Sequence, residues 1–178
     1  MTAISVLSTR RSTGGMLRRA MDSPDVAAVH RLLAAFNRGD FSALDDVDPQ
    51  AEFQDEPRIP GAGWNYGHSG AVTWAVKLWQ AFGCLHLDIG EPVASSGCLI
   101  ACWQASGIGK RSGIPVDMGG YCMFCMRRAK VSRVEFFETE QAALDAARRL
   151  RATTERADSH RGGFDWPPQS RAVFHPVD

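Results

Sequence analysis

Three side chains could supply acid–base chemistry, namely Asp55, Tyr121 and Glu138. A carboxylate held in an apolar pocket has its charged form disfavoured, which brings such a group into the useful range of a general base. Asp55 follows a short apolar stretch and precedes a proline-rich loop over 56–67, whose prolines would help to fix the carboxylate. The alternative role for Asp55 is to cap that loop, which is a common use of aspartate near turns.

Tyr121 and Glu138 are placed by strand alternation. Tyr121 alternates with Met123, and on the pocket face its hydroxyl would stabilise an enolate oxygen. Its alternative is a core tyrosine with a satisfied hydroxyl. Glu138 has the parity of Phe136, which would turn it toward the pocket, or else it is an exposed residue beside the helix cap Thr139.

The ligand that such a site would take is a hydrophobic small molecule. A flat apolar wall suits polycyclic or aromatic compounds, and this chain has several tryptophans to build one. His68 opens a predicted helix nearby, and its alternative is a solvent-facing helix start. The predicted substrate-binding residues are Leu32, Phe53, Trp79, Trp103, Phe136 and His68.

The sequence predicts neither a metal nor a cofactor. No grouping of the five histidines has metal-ligand spacing. Cys122 and Cys125 form a C-x-x-C pair on a predicted strand, where positions three apart point to opposite faces. The odd number of cysteines fits a reducing compartment, and we interpret all five as small core or interface residues.

Charge and hydropathy limit the partners. The formal net charge is zero and the pI is about 7.0, which argues against a nucleic-acid-binding surface. No apolar run approaches the roughly 18 residues of a membrane span, so no membrane partner is predicted. No long apolar run follows the first residues either, so we expect no signal peptide and a cytoplasmic location.

The predicted elements follow an α+β order. Residues 1–22 are expected to be a flexible extension, 23–151 the folded domain, and 152–178 an irregular tail. Helices folded over one face of a strongly bent sheet leave a cone whose mouth is a natural pocket. The predicted helices span 24–36, 41–47, 69–82 and 140–151. The predicted strands span 51–55, 84–89, 98–106, 116–126 and 131–137.

Five short motifs occur in a characteristic order over residues 23–150. They are Phe36-Asn37-Arg38-Gly39-Asp40, Glu52-Phe53-Gln54-Asp55 with Pro57, Pro60 and Gly63, Gly67-His68-Ser69-Gly70, Arg111-Ser112-Gly113-Ile114-Pro115-Val116, and Val131-Ser132-Arg133-Val134-Glu135-Phe136-Phe137. This order resembles the nuclear transport factor 2-like superfamily, and within it the SnoaL-like polyketide cyclases and ketosteroid isomerases. The resemblance implies a cystatin-like cone, in which a curved antiparallel sheet wraps around N-terminal helices and a C-terminal helix closes the domain.

The resemblance also bears on the site. It places Asp55 at the isomerase general base, in a V-E-D-P-like stretch matched by Phe53-Gln54-Asp55-Glu56. Leu32 stands where the isomerases carry a tyrosine on the first helix, and Tyr121 falls near their second oxyanion donor. The Asp–Arg–Asp set of the limonene epoxide hydrolases is replaced by Trp103, Ala105 and Phe136, which contradicts that mechanism.

These observations lead to three functional hypotheses. The first is a cofactor-independent isomerase, cyclase or dehydratase that acts on a polyketide- or terpenoid-like molecule. The second is a non-catalytic ligand-binding or dimeric assembly module, which the missing tyrosine at Leu32 favours. The third is an epoxide-opening cyclase that uses Asp55, Tyr121 or Glu138 as acid and base.

A homodimer is also expected. Cys98, Cys102 and Cys122 belong to an apolar, thiol-rich set that strand alternation assigns to the outer face of the sheet. An exposed patch of this kind usually marks an interface.

Overall fold

The computed structural model describes residues 23–59 and 61–161. The predicted extension over 1–22 and the 162–178 part of the predicted tail lie outside the described residues. Within the described ranges, no helix is long and apolar enough to cross a membrane.

Helix α1 begins where the sequence predicts it. The Ser23 side chain accepts a hydrogen bond from the Asp25 backbone N–H at 3.3 Å, and Pro24 occupies the first helical position, where a missing N–H costs nothing. The helices are α1, Pro24–Asn37, α2, Gly67–Ala81, and α3, Glu140–Arg161.

Helix α3 is longer than the sequence predicts, because it continues to Arg161 instead of ending at Arg151. The Arg151 Nε donates to Glu155 at 2.8 Å, and the hydroxyls of Thr153 and Thr154 donate to the carbonyls four residues earlier. The extension is stabilised by pairs of this kind rather than by an apolar face, which is why its polar sequence did not predict a helix.

Seven strands form one mixed sheet in the order β2-β1-β7-β6-β5-β3, with β4 paired to β5. All neighbouring pairs are antiparallel except β1 and β7, which are parallel. The strands are β1, Val47–Gln54, β2, Trp64–Tyr66, β3, Phe82–Ile89, β4, Val93–Ser95, β5, Cys98–Gly109, β6, Pro115–Arg127, and β7, Lys130–Phe137.

The short helix predicted over Phe41–Val47 is wrong. Residues 41–46 form turns, in which the Ser42 hydroxyl donates to Asp40 at 2.8 Å and the Leu44 N–H donates to the Ser42 carbonyl. Serine and aspartate side chains compete for backbone groups in this way, which favours turns over helix.

Helices cover both faces of the sheet. On the inner face, α1 and α2 enclose the main core, which includes Val29, Phe53 and Val134. Register shifts between β1 and β7, β3 and β5, and β6 and β7 bend the strands, as expected for the predicted α+β cone. On the outer face, α3 packs over a second apolar cluster that includes Ile100 and Met123.

Candidate functional site

Three aromatic rings divide the interior of the cone. Trp74 of α2 stacks on Phe136 of β7 with centroids 6.3 Å apart, and Trp103 of β5 meets the same Phe136 edge-on at 5.2 Å. We call these three residues the aromatic partition. Each of them lines two cavities, one on either side.

The first cavity has a volume of about 40 Å³ and lies between α1, the turns over 41–46 and the sheet. Its wall is apolar except for Asp40 at its edge. Besides the aromatic partition it includes Leu32, Leu33, Phe36, Phe41, Leu44, Phe53, Val72 and Phe124. Such a lining binds apolar surface and offers very few polar contacts.

The second cavity has a volume of about 20 Å³ and lies on the other side of the aromatic partition, toward β3 and β6. Glu56 is the one charged residue among its described lining residues, and only 6% of Glu56 is exposed. The rest of the wall is apolar and includes Ile59, Leu78, Phe82, Leu85, Ala105 and Met118.

Glu56 is held by Arg58. The Arg58 backbone N–H and Nε both donate to Oε1 of Glu56, at 3.2 and 2.5 Å. Arg58 also donates to the Gly119 carbonyl at 3.0 Å, and its guanidinium lies 5.8 Å from the centroid of the Trp103 ring. The hydrogen bond to Glu56 raises the pKa of Arg58, so the guanidinium stays charged. The charged Arg58 side chain therefore links Glu56, in the loop after β1, to the backbone of strand β6.

Asp55 has a different role in the fold. Its Oδ1 accepts from Asn65 Nδ2 at 2.9 Å, and its Oδ2 accepts from the Gly63 N–H at 3.1 Å and from Lys77 Nζ at 3.2 Å. The Asp55 N–H donates to the Gly63 carbonyl at 2.8 Å. Asp55 thus closes the loop between β1 and β2 and ties it to α2, and it lines neither cavity.

A scan against protein-family models finds no match, and a search of curated proteins finds no significant relative. Solved structures do match. TerC, co-crystallised with polyporic acid, is 18% identical, with 71% of this chain and 99% of that chain covered at a TM-score of 0.58. A candidate SnoaL-like polyketide cyclase from Jannaschia is 15% identical, with 79% and 96% covered at 0.56. A nuclear transport factor 2-like protein from Burkholderia xenovorans is 21% identical, with 70% and 95% covered at 0.55.

The chain has the nuclear transport factor 2-like fold. The resemblance read from its five motifs is therefore correct at the level of the fold, and the predicted α+β cone is confirmed. Identities of this size establish no activity.

Four of the predicted lining residues lie in a cavity wall. Leu32, Phe53, Trp103 and Phe136 all line the first cavity. Each is a large apolar side chain on an inward-facing position of a helix or strand.

Trp79 and His68 lie outside both cavities, which corrects their predicted placement. The Trp79 ring packs against Gly39 and Phe41, because α2 turns it toward the end of α1. His68 Nε2 lies 3.0 Å from the Val47 carbonyl and so ties the start of α2 to β1.

The other two predicted acid–base residues lie apart from Asp55. Tyr121 shares a face with Met123 as predicted, but that face is the outer one, beneath α3. Its inward neighbour Cys122 lines the first cavity instead. Glu138 is exposed after β7, close enough to Arg58 for its charge to help raise the pKa of that guanidinium.

Sequence reasoning missed Glu56, although a signal was present. In the V-E-D-P pattern the carboxylate stands directly before proline, and in this chain Glu56 stands directly before Pro57. Aligned on the proline instead of the aspartate, the pattern places its carboxylate at Glu56 instead of Asp55. Strand β1 ends at Gln54, so alternation no longer decides which of the two following carboxylates faces inward.

Two of the five cysteines that the sequence predicts to be small core or interface residues are joined to each other. Cys98 of β5 and Cys125 of β6 are paired residues on the outer face and form a disulfide. Among the described residues, Cys102 is an exposed thiol and Cys122 a buried one. No group of three or more His, Cys, Asp or Glu side chains in the described ranges is arranged to hold a metal ion.

Proposed function

We propose that this protein binds a hydrophobic, polyketide- or terpenoid-like molecule at the aromatic partition and acts on it by cofactor-independent general acid–base catalysis, with Glu56 as the base. The observation that carries this proposal is a buried carboxylate in the wall of an otherwise apolar cavity. The co-crystallisation of TerC with polyporic acid and the polyketide cyclase names of other structures with this fold support the ligand class.

The surroundings of Glu56 suit proton abstraction. Arg58 fixes Oε1, and among the described residues Oε2 accepts no hydrogen bond, so it is free to take a proton. In the proposed step the C–H bond next to a ligand carbonyl breaks, its proton moves to Glu56, and the electron pair delocalises onto the carbonyl oxygen. Return of the proton to another carbon gives isomerisation. Attack by the carbanion on a second carbonyl carbon of the ligand, whose oxygen takes the proton from Glu56, gives cyclisation. Departure of a β-hydroxyl as water, with the proton from Glu56, gives dehydration.

The proposal is tested by deuterium exchange in heavy water. The wild-type protein should accelerate exchange of the protons next to the carbonyl of cyclic ketones and β-diketones. Glu56→Gln keeps the shape of the side chain and removes its basicity, so it should lower the exchange rate by roughly 10²–10⁴-fold with little effect on ligand affinity. Asp55→Asn alters the neighbouring carboxylate and serves as the comparison. A folded Glu56→Gln protein that exchanges at the wild-type rate would contradict the proposal.

A non-catalytic ligand-binding module is the second candidate. It is favoured by Leu32, an apolar side chain in the wall of the first cavity at the position where the isomerases carry a tyrosine. With cavity volumes of about 40 and 20 Å³, a ligand must displace side chains of the wall in order to enter. Ligand binding without any acceleration of exchange would select this function. The epoxide-opening cyclase lacks comparable support, since Tyr121 lies on the opposite face of the sheet from Glu56.

A further inference from the structure

Three buried indole N–H groups have no hydrogen-bond acceptor among the described residues. They belong to Trp74, Trp79 and Trp103. Buried polar groups are nearly always paired, and a tryptophan N–H usually finds a partner when its ring is buried. An unpaired donor in a cavity wall therefore points to an acceptor that arrives with a ligand.

Trp103 has the position best suited to such a contact. Its partner across the sheet is Gly120, and Nε1 lies 3.3 Å from the point that a Cβ of Gly120 would occupy. Glycine at this position gives the indole room on the inner face. Trp103 is 5% exposed and lines the second cavity together with Glu56. A residue with an unpaired donor and a residue with a carboxylate thus line the same apolar cavity.

We propose that the Trp103 Nε1–H binds the carbonyl oxygen of the ligand, and that the ligand is a planar ketone or quinone. This inference rests on the function proposed above. A flat ligand suits the broad ring faces of Trp74 and Phe136, which stack with their planes 18° apart and line the same cavity as Trp103. During proton abstraction by Glu56, the same N–H donates to the oxygen on which negative charge develops.

Trp79 provides a matched control. Its indole N–H is also buried and unpaired, but its ring packs on Gly39 and Phe41 and lines neither cavity. Replacing Trp103 or Trp79 with phenylalanine removes the same N–H group and a similar amount of ring. Only the change at Trp103 should alter recognition of a carbonyl.

The test compares α-tetralone with tetralin, which has the same bicyclic frame without the oxygen. Wild-type protein should bind the ketone about tenfold more tightly, because the hydrocarbon leaves the buried donor unpaired. Trp103→Phe should abolish this preference and Trp79→Phe should keep it. In protein with isotope-labelled tryptophan, the ketone should move the Trp103 indole N–H resonance in the direction of a stronger hydrogen bond, while tetralin should not.

Each contrary result has a distinct meaning. Equal affinities for the two compounds, or a preference that survives in Trp103→Phe, would overturn the role of Trp103 and leave the base role of Glu56 intact. A resonance shift at Trp74 alone would overturn the inference and assign the donor role to Trp74, which lines both cavities. Binding of neither compound would overturn this inference together with ligand binding at the partition.

Discussion

Two adjacent carboxylates, Asp55 and Glu56, have almost equal burial and different surroundings. Asp55 is 8% exposed and Glu56 is 6% exposed. The Asp55 carboxylate accepts hydrogen bonds from Gly63, Asn65 and Lys77. Among the described residues, the Glu56 carboxylate accepts hydrogen bonds from Arg58 alone, and Glu56 lines a cavity. The hydrogen-bond partners therefore distinguish the two carboxylates, although their burial does not. The contacts of Asp55 suit a loop-closing role better than the catalytic role that the sequence predicts.

Asp55→Asn should destabilise the protein without abolishing exchange activity. The change removes the ion pair with the half-exposed Lys77 and weakens two further hydrogen bonds, so the free energy of unfolding should fall by roughly 1–2 kcal/mol. Urea melts and the deuterium exchange assay measure the two effects on the same sample. Unchanged stability with lost exchange would return the base role to Asp55.

Cys102 and Cys122 should differ sharply in reactivity. Burial raises the pKa of the Cys122 thiol, whereas Cys102 is exposed. Iodoacetamide at about pH 8 should modify Cys102 in the native protein and Cys122 only after unfolding. Peptide mapping by mass spectrometry reads both sites, and native labelling of Cys122 at a rate near that of Cys102 would contradict this prediction.

Whether the sequence predicts the inward or outward position of a strand residue depends on whether one face or both faces of that strand are apolar. Phe53 and Phe136 alternate with polar neighbours on their strands, so the inward face was evident. Tyr121 lies on a strand whose two faces are both apolar, because α3 covers the outer one. Alternation groups the residues of such a strand correctly and does not tell which group is inside.

At the scale of elements, β5 and β6 are the two longest strands of the sheet, and this pair carries Trp103, Gly120 and the disulfide. Two three-residue edge strands, β2 and β4, were not predicted because no periodicity is visible over so few residues. The four longer strands after α2 agree with the prediction to within a few residues, since each has a turn-forming boundary.

Loss of the Cys98–Cys125 disulfide, which joins β5 to β6, should lower the stability of the protein. The bond closes a segment with a sequence separation of 27, for which chain entropy predicts a loss of about 3–4 kcal/mol in the free energy of unfolding. The double variant Cys98→Ala with Cys125→Ala should show this loss in denaturant melts, and the exposed Cys102→Ser should not. Equal stability of the double variant and the wild type would contradict the prediction that the disulfide stabilises the fold.

At the scale of the whole molecule, the ion pair of Asp48 with Arg127 connects the start of β1 to the end of β6. Arg127 donates to both carboxylate oxygens of Asp48, at 2.6 and 2.9 Å. The backbone N–H of Gln50 also donates to Asp48, and this bond together with Arg127 lowers the pKa of Asp48 below its ordinary 3.8, against the opposing effect of burial.

This arrangement should make the fold sensitive to acid. A carboxyl group whose pKa is lower in the folded state stabilises the fold above its unfolded pKa, and that contribution disappears as the pH falls through the folded value. Stability should therefore decline as the pH falls below the ordinary 3.8 of Asp48. Asp48→Asn should be less stable at neutral pH and should show a shallower decline. Parallel pH profiles for the two proteins would contradict the assignment.

The homodimer stays a prediction, but the structure retains only part of the exposed, thiol-rich patch from which it is predicted. Of the three cysteines assigned to the outer face, Cys122 points inward and Cys98 lies beneath α3, so only Cys102 is exposed there. The cytoplasmic location also stays a prediction, and the disulfide weakens the argument from cysteine usage. Light scattering at micromolar concentration measures the assembly, and a monomer would contradict the dimer.

The unpaired indoles of Trp74, Trp79 and Trp103 also give the protein an optical property. Indole emission moves to longer wavelength when polar groups around the excited ring reorient, and a dry ring without a hydrogen bond escapes that relaxation. Trp74 and Trp103 are buried and Trp79 is partly buried, and the three rings should therefore emit at short wavelength in the native state. A ketone or quinone that enters beside the aromatic partition should quench Trp74 and Trp103 and spare Trp79, so the intrinsic fluorescence of the wild-type chain reports on occupancy without any added label.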